Sequence, residues 1–130
     1  MLRACRRLLS RGSRTAFLTI VVAPGLTPAR RREAARSGPP AVLARLDHVS
    51  MLHAAGFADV AETDLTADYL TSVRSWFSES AAREGDLRSV LGDAQFEDRQ
   101  NDRRLQIAAI EGGLLRRMLF VGVRAERIGD

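Results

Sequence analysis

Apolar positions along the chain switch between two spacings, and the switches mark out its elements. Thr15 to Val22 (TAFLTIVV) is a nearly continuous apolar run. It predicts a strand covered on both faces and flanked on both sides, as inner strands of parallel sheets are. Before it, Leu2, Cys5, Leu8 and Leu9 recur at helical spacing, which predicts an amphipathic helix over Met1–Arg11 ended by Gly12 and Ser13. No second strand precedes the run. The expectation is therefore the later part of an α/β domain whose first part lies elsewhere, with a free edge on this strand.

Ala23-Pro24-Gly25 is a turn, because Pro24 has no N–H to continue a ladder. Thr27-Pro28 has the chemistry of a helix start, and the helix runs over Pro28–Arg36 until Ser37-Gly38-Pro39-Pro40. Pro40 to Leu46 has no clear period. Asp47 caps a helix over His48–Ala55 with Val49, Leu52 and Ala55 inward, and Gly56 ends it with Phe57 folding back. Asp59 to Leu65 alternates, which predicts a weaker strand with Val60, Ala61 and Leu65 inward. Thr66 caps a helix carrying Tyr69, Leu70, Val73, Trp76 and Phe77, and Leu87, Val90 and Leu91 continue helically to Gly92. Asp93 opens a further helix with Phe96, Ile107 and Ile110 on related faces, ending at Gly112-Gly113. Leu114 to Arg124 is the last strand, by its Met118-Leu119-Phe120-Val121 run, and the tail 125–130 is predicted loose. Strands alternating with helices predict an α/β domain over 1–124. A right-handed crossover joins the first two strands in parallel, and a long helical insert separates the last two.

Composition narrows the function classes. All 20 basic residues are arginine, against 16 acidic residues, and the net charge is +4. The arginine clusters are scattered among acids, whereas a nucleic-acid binder concentrates them on one face. A basic nucleic-acid-binding domain is thus the weaker alternative. Cys5 is the single cysteine, so neither an intrachain disulfide nor a thiolate metal cage forms, which fits a cytoplasmic chain. No apolar run reaches the about 20 residues of a membrane span. The first 17 residues are acid-free and arginine-bearing, like a mitochondrial transit segment, but their apolar stripe fits a packed helix better.

Three segments carry a resemblance. Cys5 to Ile20 (CRRLLSRGSRTAFLTI) is similar to a late helix, an "LxPGG" turn and the following strand of class I S-adenosylmethionine-dependent methyltransferases of bacterial type; here the turn reads Leu9-Ser10-Arg11-Gly12-Ser13. Met51 to Val60 (MLHAAGFADV) is similar to the family's "LLxxAGFxxV". Leu114 to Val123 resembles its final strand. Together they resemble the carboxyl-terminal half of the family. The resemblance implies a partial Rossmann-like sheet of about three strands, the last antiparallel, and transfer of a methyl group to a small-molecule acceptor. The cofactor it implies is S-adenosylmethionine. The family's Gly-x-Gly turn and its ribose-holding acid have no counterpart here, so no cofactor-binding residue is assigned. The resulting expectation is a truncated or split methyltransferase-like protein without activity of its own. The alternative is a non-enzymatic module that pairs through the free edge at Thr15–Val22, either with itself or with a complementing chain.

Candidate site residues follow from that resemblance. The family's late loops and insert cover the acceptor, which singles out Ala23, Pro24 and Gly25, and the aromatic walls Tyr69 and Trp76. Each has a plainer role, as a strand-ending turn or a core stripe. His48 and His53 titrate near neutrality when unperturbed and so fit a general base, but surface and capping roles suit a short helix equally. Asp64, near the end of the second strand, is a loop former or a substrate contact. The catalytic residue is left unassigned, and no metal-ligand spacing occurs.

Overall fold

The computed structural model describes residues 1–37 and 47–125. The unassigned stretch before Asp47 and nearly all of the tail lie outside the described residues.

The elements run α1 (Leu2–Leu8), β1 (Arg14–Val22), α2 (Pro28–Ser37), α3 (His48–Ala54), β2 (Phe57–Asp64), α4 (Thr66–Ala82), α5 (Glu84–Leu91), α6 (Asp93–Glu111) and β3 (Leu115–Arg124). Local chemistry sets their ends. Asp47 accepts the Ser50 N–H at 2.8 Å and the Ser50 hydroxyl at 2.9 Å, which caps α3. Gly56 leaves that helix at φ 91°, a conformation that costs glycine little. Thr27 Oγ1 accepts the Arg30 N–H at 3.2 Å and opens α2. Thr66 plays a different part from the predicted cap. Leu65 holds the N-cap position of α4, while the Thr66 hydroxyl donates to Asp64 and accepts the Arg117 N–H at 3.0 Å. Thr66 thereby ties α4 to β3.

The sheet has three strands in the order β1-β3-β2, with β3 antiparallel to both neighbours. The long helical insert α4–α6 lies between the last two strands, as expected. β1 and β2 run in parallel, but β3 stands between them. Among the described residues β1 has a ladder partner on one side only, the free edge expected of Thr15–Val22, and Leu18 is 49% exposed. Within this chain the apolar run is packed on two faces at its carboxyl half.

β2 also departs from its predicted form. It begins at Phe57, which is buried, and its register against β3 shifts between Ala58 and Ala61. Asp59 sits in that irregularity at φ 50°, where a short polar side chain is tolerated. The shift moves Ala61 to an exposed position, against the inward placement its alternation suggested.

Helices cover both faces of the sheet. On one face α1 and α3 bury Leu52, Ala55, Phe57 and Phe120, with Leu2, Cys5 and Phe17 packed around them. Gly122 makes that packing possible, because a Cβ there would stand 3.1 Å from the Phe57 Cβ. On the other face Ile20, Ala34, Ala109, Ile110, Leu114 and Leu115 form a second core beneath α2, α4 and α6. α4 and α6 lie antiparallel and are joined by polar rungs. Tyr69 donates to Gln106 at 2.9 Å, the buried Gln100 amide donates to the Phe77 carbonyl at 3.1 Å, and Arg103 donates to Ser80 at 2.7 Å. Arg88 draws Glu84, Asp93 and Glu97 together and so clips α5 to the start of α6.

The hydrogen-bond phase of β1 can be followed from its ends. The Ala23 N–H donates to the Leu114 carbonyl, and the Arg124 N–H donates to the Ser13 carbonyl. In an antiparallel ladder such pairs repeat at every second residue. Odd-numbered residues of β1 therefore turn their backbone groups toward β3, and Ala16 and Leu18 turn theirs outward. In hydrogen exchange, the Ala16 and Leu18 amides will exchange faster than those of Phe17 and Thr19; equal protection of both sets would show the edge to be covered. Leu52 has no exposed surface. Leu52→Ala is expected to lower unfolding stability by about 2–5 kcal/mol, read from denaturant midpoints.

Candidate functional site

Three places bring together residues with chemistry: the turn after β1, the aromatic pair on α4, and a groove beside the free edge of β1.

The turn is anchored by the Ala23 N–H bond to Leu114 at 2.9 Å, which leaves Ala23 buried and Pro24 and Gly25 exposed. Gly25 has φ 76°, and a Cβ added there would meet nothing within 4 Å. Open space on this side fits a loop at the mouth of a site, but no cradle closes around it.

Tyr69 and Trp76, one on each of two successive stretches of α4, meet edge to face with ring centroids 6.3 Å apart. The Arg117 guanidinium lies 4.8 Å from the centre of the Tyr69 ring. Tyr69 borders the same core as Val22 and Leu26, the residues on either side of the turn. The fold thus brings Tyr69 toward the turn, while Trp76 stands farther along the helix. Trp76 is 51% exposed, which corrects its reading as part of a core stripe. It lines a shallow hollow of about 260 Å³ with Arg99, Asp102, Arg103 and Gln106. The turn does not take part in that lining.

The groove beside β1 was not evident from the sequence. It encloses about 680 Å³ and is lined chiefly by Leu2, Phe17, Leu18, His48, Met51 and Ala55, with Arg3 at its rim. His48 is half-buried. Its ring stacks on Phe120 at 4.9 Å and leans on Phe17 at 5.9 Å, and the two phenylalanines stack at 5.4 Å. His53, five residues on, is exposed. The available signal was the spacing His48, Met51, Ala55, which marks a groove-facing stripe on α3.

Two carboxyls are perturbed here. The Thr66 hydroxyl and then its backbone N–H hold the Asp64 carboxyl below the usual carboxylate value, helped by the Arg116 charge. Ser50 does the same for Asp47. Asp64 is therefore committed to the β2–α4 junction, the loop-forming role. Among the described residues no group of three or more His, Cys, Asp or Glu is placed to hold a metal ion.

No protein-family model matches the chain, and no curated protein sequence matches it. Solved structures do. Phosphoethanolamine N-methyltransferase 2 of Haemonchus contortus, solved with phosphomonomethylethanolamine and S-adenosylhomocysteine, superposes with a TM-score of 0.75 at 12% identity. A protein of Galdieria sulphuraria assigned as a sarcosine dimethylglycine methyltransferase gives 0.78 at 11%. A mycolic acid cyclopropane synthase solved with S-adenosylhomocysteine gives 0.70 at 17%. The fold is that of a class I methyltransferase. The likeness covers 96%, 98% and 94% of this chain, but 29%, 47% and 48% of those proteins. The chain thus spans less than half the length of the methyltransferases it resembles.

Asp64 also carries a pH signature. A depressed native pKa stabilises the fold above the ordinary carboxyl value of 3.8, and the contribution is lost as pH falls through the depressed value. Thermal melts from neutral pH to below about 4 should show a shallower acid loss for Asp64→Asn than for the unaltered chain.

Proposed function

We propose that this chain is the carboxyl-terminal, acceptor-side portion of an S-adenosylmethionine-dependent methyltransferase for a small molecule. In this reading it has no activity alone and works once a cofactor-holding portion pairs along β1. One observation carries the reading: among the described residues a nine-residue, largely apolar strand has a ladder partner on one side only, in a fold that otherwise superposes on methyltransferases. An edge of this kind is normally blunted by charge, proline or a bulge. β1 carries Arg14 at its start and none of these along the rest of its length.

The described residues do not fit the cofactor itself. The turn at the carboxyl end of β1 has no carboxylate beside it in sequence, Gly25 faces open space, and Asp64 is held by Thr66. No Gly-x-Gly occurs in the chain. When bound in a complete enzyme, the cofactor supplies an electrophilic methyl group. This chain's part is to shape the acceptor side. Tyr69, fixed by Gln106 and Arg117, offers a rigid aromatic wall, and the Ala23–Gly25 turn borders the same side of the sheet.

The arginines support this reading over nucleic-acid binding. Arg30 donates to the Gly112 carbonyl, Arg74 pairs with Glu111, Arg88 holds three carboxylates, and Arg117 sits on Tyr69. These cations serve the fold rather than one continuous basic face. No helix among the described residues is long and apolar enough to cross a membrane. We place the chain in the cytoplasm, where its free Cys5 stays reduced.

Calorimetric titration of the chain alone with S-adenosylmethionine should give no binding heat. One-to-one binding would overturn the proposal that the cofactor is held elsewhere.

A further inference from the structure

The groove beside β1 opens at one end into a second hollow of about 600 Å³ lined by Arg3, Arg6, Arg7, Ala54, Ala55 and Gly56. The two hollows share Arg3, Ala54 and Ala55, so they form one continuous surface along α1 and α3. Its character changes along its length. Beside β1 it is apolar, with Phe17, His48 and Met51 on its wall; toward the end of α3 it is cationic. Met1 to Val22 contains five arginines and no acid. Asp47, at the amino end of α3, accepts from the Ser50 N–H and hydroxyl, and among the described residues no carboxylate lines either hollow. The outward backbone groups of Ala16 and Leu18 run beside the apolar stretch.

We propose that this surface docks an extended segment of another polypeptide, apolar where it meets Phe17 and Met51 and carrying carboxylates where it meets Arg3 and Arg7. The segment adds a strand to β1. Main-chain bonds to Ala16 and Leu18 supply affinity, and the side chains on one of its faces enter the groove. Charge selects this occupant. A second copy of the chain would bring its own acid-free segment Met1 to Val22, with the arginines of α1, against this one, and like charges set against each other are penalised. A nucleic acid matches the cations but not the apolar wall. The inference rests on the reading that β1 accepts a further strand and adds the chemistry of that strand.

The test uses the whole chain and two fluorescein-labelled peptides. Each alternates valine and threonine, and one ends in glutamates where the other ends in lysines. Fluorescence anisotropy should show the glutamate peptide binding about tenfold more tightly, with the preference shrinking as salt is raised and lost in Arg3→Glu. Ala16→Pro removes one outward N–H while leaving the ladder to β3 intact, and should weaken both peptides. If that variant does not fold, as judged by circular dichroism, the comparison of the two peptides on the unaltered chain still decides. Equal affinities, a preference for lysine, or no binding of either peptide would overturn the proposal. So would tighter binding of a single-stranded oligonucleotide than of the glutamate peptide. A stable dimer that excludes both peptides would also overturn it, giving the surface to a second copy. No cofactor enters these measurements, so a failed methyltransferase assignment and a failed docking proposal remain distinguishable.

Discussion

The antiparallel ladder around β3 is the interaction on which the rest of the structure depends. β3 is the strand that pairs on both sides, with β1 along its full length and with β2 across a register shift. Its side chains supply both cores: Phe120 and Met118 to the face under α1 and α3, Leu115 to the face under α6. Even the polar junctions return to it. Arg117 receives α4 through Thr66 and caps the Tyr69 ring, and the Arg124 guanidinium donates to the Leu9 carbonyl at the end of α1. The last strand in the chain thus organises elements that come long before it. Contacts of such sequence separation make this topology slow to close compared with a helical bundle.

The helical insert obeys a different economy. α4 and α6 share few fully buried apolar residues, notably Val73 and Phe96. Their pairing is specified instead by hydrogen bonds between side chains, and between side chain and backbone, at Tyr69, Phe77 and Ser80. Such rungs contribute modestly to net stability, but they fix register, because an unpaired buried amide such as that of Gln100 is costly. The result holds Tyr69 rigidly and leaves Trp76 half outside the packed layer.

At the opposite face, the stack of His48, Phe17 and Phe120 joins α3 to both strands at the open side of the sheet. The stack buries what it can of an apolar strand, and the groove is what it leaves uncovered. An edge with outward backbone groups, an exposed leucine and a neighbouring cationic hollow is a surface with a defined polarity.

Much of this was legible in the chain. The helical and strand periods placed seven of the nine elements near their observed bounds, including the caps at Thr27 and Asp47, because those depend on neighbours within a few residues. α4 and α5 were visible only as one helical run to Gly92. The three-stranded sheet with an antiparallel last strand came from resemblance rather than from period. What local spacing did not determine was everything set by partners distant in sequence. An apolar run such as Thr15–Val22 records how greasy its surroundings are, not how many strands flank it. Phe57 looked like a loop residue folding back on a helix, until pairing with Arg124 drew it into β2. Trp76 and His48 exchanged expected places because exposure depends on which helix covers which face. Order along the chain and local conformation follow from the sequence itself; strand adjacency, burial and the groove follow only once distant segments compete for the same surface.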